Sequence, residues 1–299
     1  MKRVLITGAA GFTGHYMAPL LAAQGNEVHG LTSGVPDRPV EGYSQLHDAD
    51  LRNPVDIRRT VSEVRPDYVI HLGAIANVAH DDVDDLYRVN IVGTRNLLEI
   101  LSEAEVKPTA ILLASSANIY GNGRDGLLDE ETPPAPANDY GVSKLAMEYV
   151  ASIYSQRLPI IIVRPFNYTG IGQGSQFIIS KIVEHARKRA SVVELGNLDV
   201  ARDFSDVRTV VDAYARLMTL PEAIGQTVNV CSGRAVSLGE IISLVTRLSG
   251  HQFDVRVNPD FVRSNEVKSL HGSREKIEKL IGPLRRIPLE ETLQWMLDG

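Results

Sequence analysis

The sequence predicts a doubly wound α/β protein, in which helices cover both faces of a parallel sheet and a smaller lobe follows. Three observations lead to this prediction: short apolar runs without polar alternation, helical patterns between those runs, and a glycine-rich turn directly after the first run. Apolar runs of this kind are typical of strands that are buried on both faces. Their alternation with helices favours parallel strands, because a parallel connection requires a crossover.

The first half of the chain carries this alternation in order. Five strands are predicted, at residues 3–7, 27–31, 68–72, 109–114 and 159–163. Four helices are predicted among them, at residues 14–23, 54–63, 89–104 and 140–156. Right-handed crossovers then place the loops at the carboxyl ends of the strands along one edge of the sheet, where such sheets usually bind ligands.

The pattern loosens after Arg164, which predicts a second, smaller unit. Helices are predicted at residues 176–189, 207–219, 237–249 and 273–280, with a strand at 227–230 and a polar stretch at 194–206. We expect residues 1–165 to form the first domain, and residues 166–204 and 232–299 to form the lobe. Residues 205–231 are expected to return to the sheet, and the alternative that they belong to the lobe stays open.

Composition excludes several classes of protein. With 43% hydrophobic and 23% charged residues, the 299-residue chain resembles an ordinary globular protein. Its net charge of −6 provides no basic field, so no nucleic-acid partner is expected. The single cysteine, Cys231, excludes an internal disulfide and is expected to be inert packing, and no metal is predicted. The absence of a signal segment or long apolar run predicts a cytoplasmic protein without a membrane partner.

The glycine-rich turn TGAAGFTG follows the first predicted strand and opens the first predicted helix. Gly8 and Gly11 allow a tight turn and close approach of the backbone to a ligand, and Gly14 allows the helix to pack near the strand. The helix amino terminus then faces a pyrophosphate. This context predicts a Rossmann-type dinucleotide-binding domain. The residues predicted to hold the cofactor here are Gly8, Gly11, Phe12, Thr13 and Gly14.

The choice of dinucleotide is predicted from the end of the second strand. No Asp or Glu stands about 20 residues beyond the glycine loop, where a carboxylate usually holds the ribose 2′-hydroxyl. Thr32, Ser33 and Arg38 are available there as donors, which favours NADP(H) and leaves NAD(H) open. Arg38 could equally be an exposed loop residue. Asp50, followed by Leu51, could contact the adenine, or Asp50 could cap the next helix.

A tyrosine and a lysine begin the fourth predicted helix. Tyr140 and Lys144 are four residues apart, so both side chains lie on one helix face. A nearby ammonium lowers the pKa of a phenol, which makes Tyr140 usable as a proton donor or acceptor near neutrality. Ser116 follows the predicted strand at 109–114 and should present its hydroxyl at the same sheet edge. In isolation, the tyrosine–lysine pair would be a solvated helix face.

Several motifs together resemble the extended short-chain dehydrogenase/reductases, a family that acts on nucleotide sugars. They are TGAAGFTG, HLGA at residues 71–74, SSANIYG at 115–121, YGVSK at 140–144 and RPFN at 164–167. The similarity extends over essentially the whole chain. It implies Ser116, Tyr140 and Lys144 as catalytic residues, with Tyr140 and Lys144 also at the cofactor.

The same resemblance implies further contacts. Leu72, Gly73 and Ala74 would line the cofactor site, and Asn90 would support it, although Asn90 could simply be a helix N-cap. His71 is expected to be a core or loop histidine. Helices at residues 89–104 and 145–156 commonly form the dimer surface in this family, which implies a homodimer.

The residues after Ser116 bear on the reaction. The 4,6-dehydratases of this family carry an acidic residue one or two positions after the catalytic Ser or Thr, whereas Ala117 and Asn118 stand there in this chain. A carboxamide cannot serve as that base, so dehydration is not expected. Net reduction of a keto-sugar and epimerisation through transient oxidation both remain.

The carboxyl-terminal half is similar to the GDP-4-keto-6-deoxy-D-mannose reductases. The similar segments are residues 167–174, 196–207, 229–233 and 258–267. They favour hydride transfer from NAD(P)H to the C4 keto group of GDP-4-keto-6-deoxy-D-mannose, forming GDP-D-rhamnose. Two features depart from the pattern: Asp139 stands where relatives often have proline, and residues 81–85 form an acidic run that is most simply a solvated loop.

A nucleotide-diphosphate sugar needs local cations for its pyrophosphate in a chain of negative net charge. Arg202 and Arg263 are predicted to supply them, because guanidinium groups match phosphate oxygens bidentately. Each could also be an exposed or structural arginine. Asn167 could bind phosphate or hexose or could form a turn, and Ser116 is expected to contact the sugar as well.

Two alternatives to a reductase remain. An NAD-dependent nucleotide-sugar 4-epimerase would use the same three residues and keep its cofactor bound. A remote alternative is a non-catalytic dinucleotide-sensing protein, which the presence of both Tyr140 and Lys144 disfavours.

Overall fold

The computed structural model describes residues 1–34, 36, 40–76, 82–121, 126–262 and 269–299. Within these ranges the strands are β1 Arg3–Thr7, β2 Glu27–Thr32, β3 Gln45–Asp48, β4 Tyr68–His71, β5 Ala110–Ala114, β6 Gly126–Leu128, β7 Ile160–Pro165, β8 Asn167–Thr169, β9 Val192–Leu195, β10 Ala201–Asp206, β11 Thr227–Val230, β12 Ala235–Ser237, β13 Asp254–Val257 and β14 Ser269–Gly272. The α-helices are α1 Phe12–Ala23, α2 Pro54–Val64, α3 Val83–Tyr87, α4 Thr94–Glu103, α5 Asp139–Tyr154, α6 Ile178–Arg187, α7 Val207–Met218, α8 Leu238–Ser249, α9 Glu275–Ile281 and α10 Leu289–Asp298.

Seven parallel strands form the main sheet, in the order β11-β7-β5-β4-β1-β2-β3. The chain passes from β1 outward to β2 and β3, and then crosses to β4 on the other side of β1. Such a reversal leaves a crevice at the carboxyl ends of the two central strands. The predicted doubly wound parallel α/β fold is therefore confirmed.

The central strand β1 shows why these strands have continuous apolar sequences. Ile6 packs into the core formed with α1 and α7, whereas Leu5 packs into the core formed with α2, α4 and α5. Successive strand residues face opposite sides, so a strand covered on both faces needs apolar residues at every position. Both side chains are fully buried, and burial of each contributes about 1.5–3 kcal/mol.

Helix ends follow local capping chemistry. Asn53 begins α2 by accepting a hydrogen bond from the Val55 backbone N–H (3.1 Å). Ser237 and Glu240 form a reciprocal capping box at the start of α8. Gly250 ends that helix in the left-handed conformation (φ 60°), which glycine adopts without steric cost.

The edge strand β3 was absent from the sequence prediction. It pairs in parallel with β2, and only its Leu46 is an aliphatic residue. An edge strand is covered less than a central one, so it does not need the apolar run that identifies the other strands. Its carboxyl end lies beside that of β2, with Asp48 opposite Thr32.

The acidic run and the helix after it differ from the prediction. Residues 82–85 begin a helix instead of forming a loop, because the Asp82 side chain accepts the Asp85 N–H (2.9 Å) at the start of α3. The single helix predicted at residues 89–104 is divided into a π-helical turn at Arg88–Gly93 and α4, and α3 precedes it directly. Residue 81 lies outside the described residues. None of the helices in the described part of the chain has the length and apolar character needed to cross a membrane.

A small mixed sheet has the order β12-β10-β14-β6, with β8 paired to β10. Its strand β6 comes from the range 1–165 that was predicted to form the first domain, whereas its other strands follow residue 165. A two-stranded sheet, β9 with β13, lies apart from it. Helices α6, α8 and α10 pack their apolar faces into one core with these strands. Residues 207–230 run through α7 and β11, and both contribute to the core of the main sheet.

Strand β10 lies within the stretch that the sequence predicts to be polar and irregular. Its buried residues include Asp203 and Ser205, which are polar, so apolar periodicity does not reveal the strand. The prediction also missed α10, whose buried residues include Leu293 and Met296.

Candidate active site

The glycine loop lies at the point where the strand order reverses. Gly8 adopts φ +68°, and a Cβ atom there would lie 2.8 Å from the backbone of Gly73 in the loop after β4. A Cβ atom on Gly14 would lie 2.4 Å from the Ala9 carbonyl oxygen. The Gly11 N–H donates to the Gly8 carbonyl (3.0 Å) and closes the turn. The glycines are thus required by close backbone approaches in this crevice.

The first turn of α1 suits an anionic ligand. Its N-cap is Gly11, no side chain caps its backbone N–H groups, and its first turn holds no acidic residue. Unpaired N–H groups and the helix dipole favour a phosphate at such a terminus. These features fit a dinucleotide pyrophosphate. Phe12 stacks on Tyr168 with ring centroids 6.0 Å apart, and the Thr13 hydroxyl is 2.8 Å from the Tyr168 hydroxyl.

The end of β2 carries Thr32, which is buried, and Ser33, which is exposed. A carboxylate that sequence reasoning missed lies next to them: Asp48 Oδ1 accepts the Gly34 N–H at 2.9 Å. Asp48 belongs to strand β3, which the sequence did not predict. No local sequence pattern therefore indicated that Asp48 lies at the end of β2. Arg38, the third predicted donor, lies outside the described residues.

Asp50 does not cap the helix that follows, because Asn53 has that role. Its carboxylate instead holds the Arg52 guanidinium, with Nε 2.9 Å and Nη2 2.6 Å from Oδ2. These hydrogen bonds from Arg52 lower the pKa of Asp50. The neighbouring Leu51 is buried and fills the space beside Gly73, between the glycine loop and the π-helical turn.

The structure brings Ser116, Tyr140 and Lys144 together at the carboxyl end of β5. Lys144 Nζ donates to the carbonyl of Ala114, the last residue of β5, at 2.7 Å, and lies 5.9 Å from the ring centroid of Tyr140. Ser116 Oγ accepts from Asn118 N and Nδ2, each at 3.1 Å. All three predicted catalytic side chains are buried. Their close grouping makes proton transfer to a bound substrate chemically feasible.

Burial sets the protonation of these groups. It raises the pKa of Tyr140 above its ordinary value, Tyr168 adds to the rise, and a hydrogen bond with Ser116 opposes it. The sequence predicts the opposite direction for Tyr140; the difference arises because the Lys144 ammonium donates to a carbonyl and burial dominates. Burial also lowers the pKa of Lys144 to about 8, against the attraction of Glu148. Near neutrality, Tyr140 is therefore a proton donor beside an ammonium.

The start of α5 packs against the turn that follows Ser116. Asn138 caps the helix by accepting the Gly141 N–H at 2.8 Å. A Cβ atom on Gly141 would lie 2.7 Å from the Asn118 carbonyl oxygen, so the helix packs directly on that turn. Asp139 lies in the first turn of α5 and accepts a hydrogen bond from the Tyr87 hydroxyl (2.7 Å). A carboxylate is favourable at this helix end.

Asn90 lies in the π-helical turn and is not an N-cap. Its side chain accepts from Ile75 N (2.8 Å) and donates to the Ile75 carbonyl (3.1 Å) and to Ser143 Oγ (3.0 Å). Ser143 in turn donates to the Tyr140 carbonyl (2.8 Å). Asn90 thus ties the loop after β4, which contains Leu72, Gly73 and Ala74, to the helix that carries Tyr140 and Lys144.

His71 is a buried neutral histidine at the end of β4. Nδ1 lies 2.6 Å from the Thr7 hydroxyl and Nε2 lies 2.8 Å from the Thr94 hydroxyl. Burial and the nearby Lys144 lower the pKa of His71 to about 3. Because Thr94 donates to the Asn90 carbonyl, Nε2 must carry the imidazole proton. His71 therefore links β1 and β4 to the first residue of α4, directly after the π-helical turn.

Two of the predicted substrate residues, Asn167 and Arg202, lie on strands β8 and β10, which pair with each other. Asn167 begins β8, directly after β7, and is exposed; its Nδ2 donates to the Asp203 carbonyl at 3.2 Å. Arg202 lies on the neighbouring strand β10, where Nη1 donates to the Ala201 carbonyl at 2.9 Å. Arg263 lies outside the described residues.

Asp203 is a buried carboxylate that sequence reasoning did not single out. It accepts backbone hydrogen bonds from Ser232 (2.7 Å), Gly233 (2.9 Å) and Gly272 (3.2 Å). Burial raises its pKa, and these hydrogen bonds oppose the rise. Asp203 therefore joins β10 to the loop after β11 and to β14 beside the predicted substrate residues.

Cys231 is buried, and its thiol donates to the Ser273 carbonyl at 3.4 Å. Burial raises the pKa of this thiol well above its ordinary value, which disfavours the reactive thiolate. In the described part of the chain, no three His, Cys, Asp or Glu side chains are placed so that they could hold a metal ion.

A glycine cradle at the strand reversal and a buried serine, tyrosine and lysine at the same edge define a nicotinamide-dinucleotide-dependent oxidoreductase of the short-chain dehydrogenase/reductase class. Within this class, the chain belongs to the extended, nucleotide-sugar branch: the family model described as GDP-mannose 4,6 dehydratase matches residues 5–296.

Two curated relatives align with nearly the whole chain. GDP-6-deoxy-D-talose 4-dehydrogenase from Aggregatibacter actinomycetemcomitans is 34% identical over 282 residues, which cover 94% of this chain and 91% of that protein. GDP-6-deoxy-D-mannose reductase from Pseudomonas aeruginosa is 31% identical over 307 residues, which cover 99% of this chain and 96% of that protein.

Solved structures show the same fold over the whole chain. A “putative epimerase” from Burkholderia cenocepacia J2315 superposes with a TM-score of 0.93 at 50% identity, covering 99% of this chain and 97% of that one. RMD from Pseudomonas aeruginosa, complexed with NADPH, superposes with a TM-score of 0.83 at 30% identity, covering 100% and 97%. UDP-glucose 4-epimerase from Thermus thermophilus, in complex with NAD, gives 0.87 at 26% identity, covering 99% and 98%. Structural neighbours thus bind either nicotinamide dinucleotide.

Proposed function

We propose that the protein reduces the C4 keto group of GDP-4-keto-6-deoxy-D-mannose with NAD(P)H and forms GDP-D-rhamnose. The observation that carries this proposal is the grouping of Ser116, Tyr140 and Lys144 at the end of β5, with no carboxylate in the turn after Ser116. The relatives support GDP sugars as the substrate class, because their names specify GDP-6-deoxy-hexoses. Talose and mannose differ in configuration at C4, so both named sugars correspond to one 4-keto form.

The turn after Ser116 argues against dehydration, despite the description of the family model. The positions where a dehydratase base would stand hold Ala117 and Asn118, and Asn118 donates both its backbone N–H and its amide to Ser116. An amide cannot remove a carbon-bound proton. The buried carboxylate of Glu148 is held by Arg164 and is not available as a base.

The arrangement of the three side chains supports a simple division of roles. The glycine loop and the start of α1 would hold the dinucleotide, which would supply the hydride for the sugar C4. Tyr140 donates its hydroxyl proton to O4 as negative charge develops there, so the ketone becomes an alcohol. Ser116 Oγ orients O4, and the Lys144 ammonium stabilises the phenolate that remains on Tyr140. Asn167, Arg202 and Arg263 are proposed to hold the diphosphate and the hexose.

We propose NADPH as the preferred reductant. The donors Thr32 and Ser33 at the end of β2 favour a 2′-phosphate, whereas the nearby Asp48 carboxylate favours a free hydroxyl. Asp48 already accepts the Gly34 N–H, which supports a role in shaping the turn. The cytoplasm, which contains both nicotinamide coenzymes and nucleotide sugars, is the proposed compartment.

The reductase assignment is tested by incubating the purified protein with GDP-4-keto-6-deoxy-D-mannose and either NADPH or NADH. We expect one reduced coenzyme to be consumed for each sugar, faster with NADPH, and GDP-D-rhamnose to be identified by NMR. Formation of the talose isomer would correct the stereochemistry of the product. Absence of coenzyme oxidation with any 4-keto nucleotide sugar would reject the reductase assignment.

A 4-epimerase is the second candidate, favoured by the 50% identity to the Burkholderia structure. An epimerase returns the hydride to the same sugar, so its coenzyme is not consumed. Tightly retained NAD after purification, with interconversion of C4 epimers and no net change in coenzyme absorbance, would establish this alternative in place of the reductase.

We propose a homodimer formed through α5. This helix exposes a stripe of apolar side chains, Val142, Tyr149 and Ile153, of which Tyr149 is 66% and Ile153 70% exposed. Exposed apolar stripes on paired helices are typical of four-helix dimer interfaces.

The double substitution Tyr149→Glu and Ile153→Glu is expected to yield a monomer in sedimentation equilibrium, because it places charges in the interface. Val55→Glu, at an exposed apolar residue of α2, is the control that should remain dimeric; a charged α5 variant that stays dimeric would contradict the proposal.

A further inference from the structure

Three charged side chains, one of them from a candidate catalytic residue, lie buried near the carboxyl end of β5. They are Lys144, Glu148 and Arg164, which are 5%, 8% and 7% exposed. Arg164 binds Glu148 with two parallel hydrogen bonds, Nε to Oε1 at 3.0 Å and Nη2 to Oε2 at 2.7 Å. Buried ion pairs of this kind contribute little net stability compared with apolar side chains, because both charges lose water. Stability alone therefore gives a weak reason for this pair.

Glu148 also contacts the end of the strand that leads to Ser116. The Ser115 hydroxyl donates to Glu148 Oε1 at 2.5 Å. Ser115 directly precedes Ser116, and its backbone N–H donates to the Val163 carbonyl of β7 at 2.8 Å. The Glu148 carboxylate thus joins α5 and β7, through Arg164, to the segment that positions the candidate catalytic serine.

Glu148 lies one helical turn after Lys144, on the same face of α5. The group contains two cations and one anion, so its net charge is positive and Glu148 supplies its negative charge. The other groups that face Lys144 are Tyr140 on α5, the Ala114 carbonyl on β5, and His71 on β4. Tyr140 is protonated and His71 is neutral near pH 7, so neither supplies a negative charge. Among the described residues around Lys144, Glu148 therefore has the role of counter-ion.

We propose that Glu148 is a positioning residue that keeps Lys144 in its ammonium form and fixes the Ser115–Ser116 end of β5. Arg164 in turn holds the carboxylate in place and is itself anchored by the Tyr120 hydroxyl at 3.0 Å. The inference rests on the proposed role of Lys144 in the reaction. It assigns to the buried ion pair a function in the chemistry of the site, separate from packing.

The test is a titration of Lys144 in the full-length protein labelled with ¹³C at lysine Cε, with Lys144→Arg identifying its NMR signal. In the natural protein, Lys144 should lose its proton as the pH rises through about 8. In Glu148→Gln two buried cations remain without their anion, so the pKa of Lys144 is expected to fall by about one unit. The alkaline limit of kcat should move to lower pH by the same amount, because the ammonium is lost earlier.

Two further variants separate charge from packing. Tyr120→Phe removes a partner of Arg164 and leaves the Glu148 charge, so the pKa of Lys144 should not change. Glu148→Asp keeps the carboxylate, so the pKa of Lys144 should return most of the way to its value in the natural protein. If Glu148→Gln fails to fold, the double variant Glu148→Gln/Arg164→Met leaves no unpaired ion in the pair. It should lower the pKa of Lys144 by less than Glu148→Gln does, because the repulsion from Arg164 is lost together with the attraction of Glu148.

A folded Glu148→Gln protein with an unchanged Lys144 titration would overturn the inference, and so would a double variant with an unchanged titration. The titration requires neither coenzyme nor substrate. A protein that shows the lysine shift but reduces no keto-sugar would reject the proposed function and retain the role of Glu148 as counter-ion.

Discussion

Tyr140→Phe is expected to lower kcat for keto-sugar reduction by about 10²–10⁴-fold, the usual contribution of general acid catalysis. The substitution removes the proton that the developing O4 alkoxide needs, while the ring that packs at the start of α5 remains. The Kd of NADPH, measured by fluorescence titration, should change little, because the glycine loop and Lys144 are intact. Single-turnover rates with GDP-4-keto-6-deoxy-D-mannose provide the measurement of the chemical step.

The matched control for this prediction is Tyr149→Phe, the same chemical change on the exposed face of the same helix. It should retain the natural turnover rate. Near-normal turnover by Tyr140→Phe would show that another group donates the proton, and the proposed roles of Ser116 and Lys144 would then lose their basis.

Gly8→Ala is expected to weaken dinucleotide binding by about tenfold or more. The added Cβ atom would lie 2.8 Å from the Gly73 backbone, which is closer than van der Waals contact allows. The loops after β1 and β4 would therefore have to move apart. The residue must also adopt φ +68°, a left-handed conformation that costs roughly 1–2 kcal/mol for a residue with a Cβ atom. Calorimetric titration with NADPH measures the loss, where tenfold corresponds to about 1.4 kcal/mol.

Gly25→Ala separates the two effects. Gly25 has φ +82°, but a Cβ atom there would contact nothing within 4 Å. Thermal unfolding should therefore show that both variants lose stability through backbone strain, whereas only Gly8→Ala loses affinity for the coenzyme. Equal affinity in both variants would mean that the approach of Gly8 to Gly73 is not needed for binding.

The main sheet and the three candidate catalytic residues could be predicted because their signals are local in the chain. A central parallel strand such as β1 needs apolar residues on both faces, and this requirement produces a continuous apolar run. The glycine loop joins a strand to a helix within a few residues, and the four-residue spacing of Tyr140 and Lys144 directly defines one helix face. The placement of Ser116 at a strand end followed from the alternation of strands and helices.

Other features depend on partners far away in the chain and left no local pattern. The Asp203 carboxylate accepts hydrogen bonds from backbone N–H groups 29 to 69 residues away. The sequence of β10 is therefore that of a polar segment, although the strand is partly buried. Asp48 reaches the end of β2 only because an edge strand pairs there. The protonation of Tyr140 was predicted in the wrong direction for the same reason, since burial depends on everything packed around the phenol.

Periodicity and spacing in this chain therefore specify the layered sheet, the phosphate-facing loop and the pair of side chains one helical turn apart. Tertiary packing specifies which charges meet: Glu148 with Arg164 and Lys144, Asp203 with three backbone N–H groups, and Asn90 with the loop after β4. The physical reason is that apolar burial along an element follows its own repeat, whereas a buried polar group is stabilised only by hydrogen bonds whose partners can come from any part of the chain.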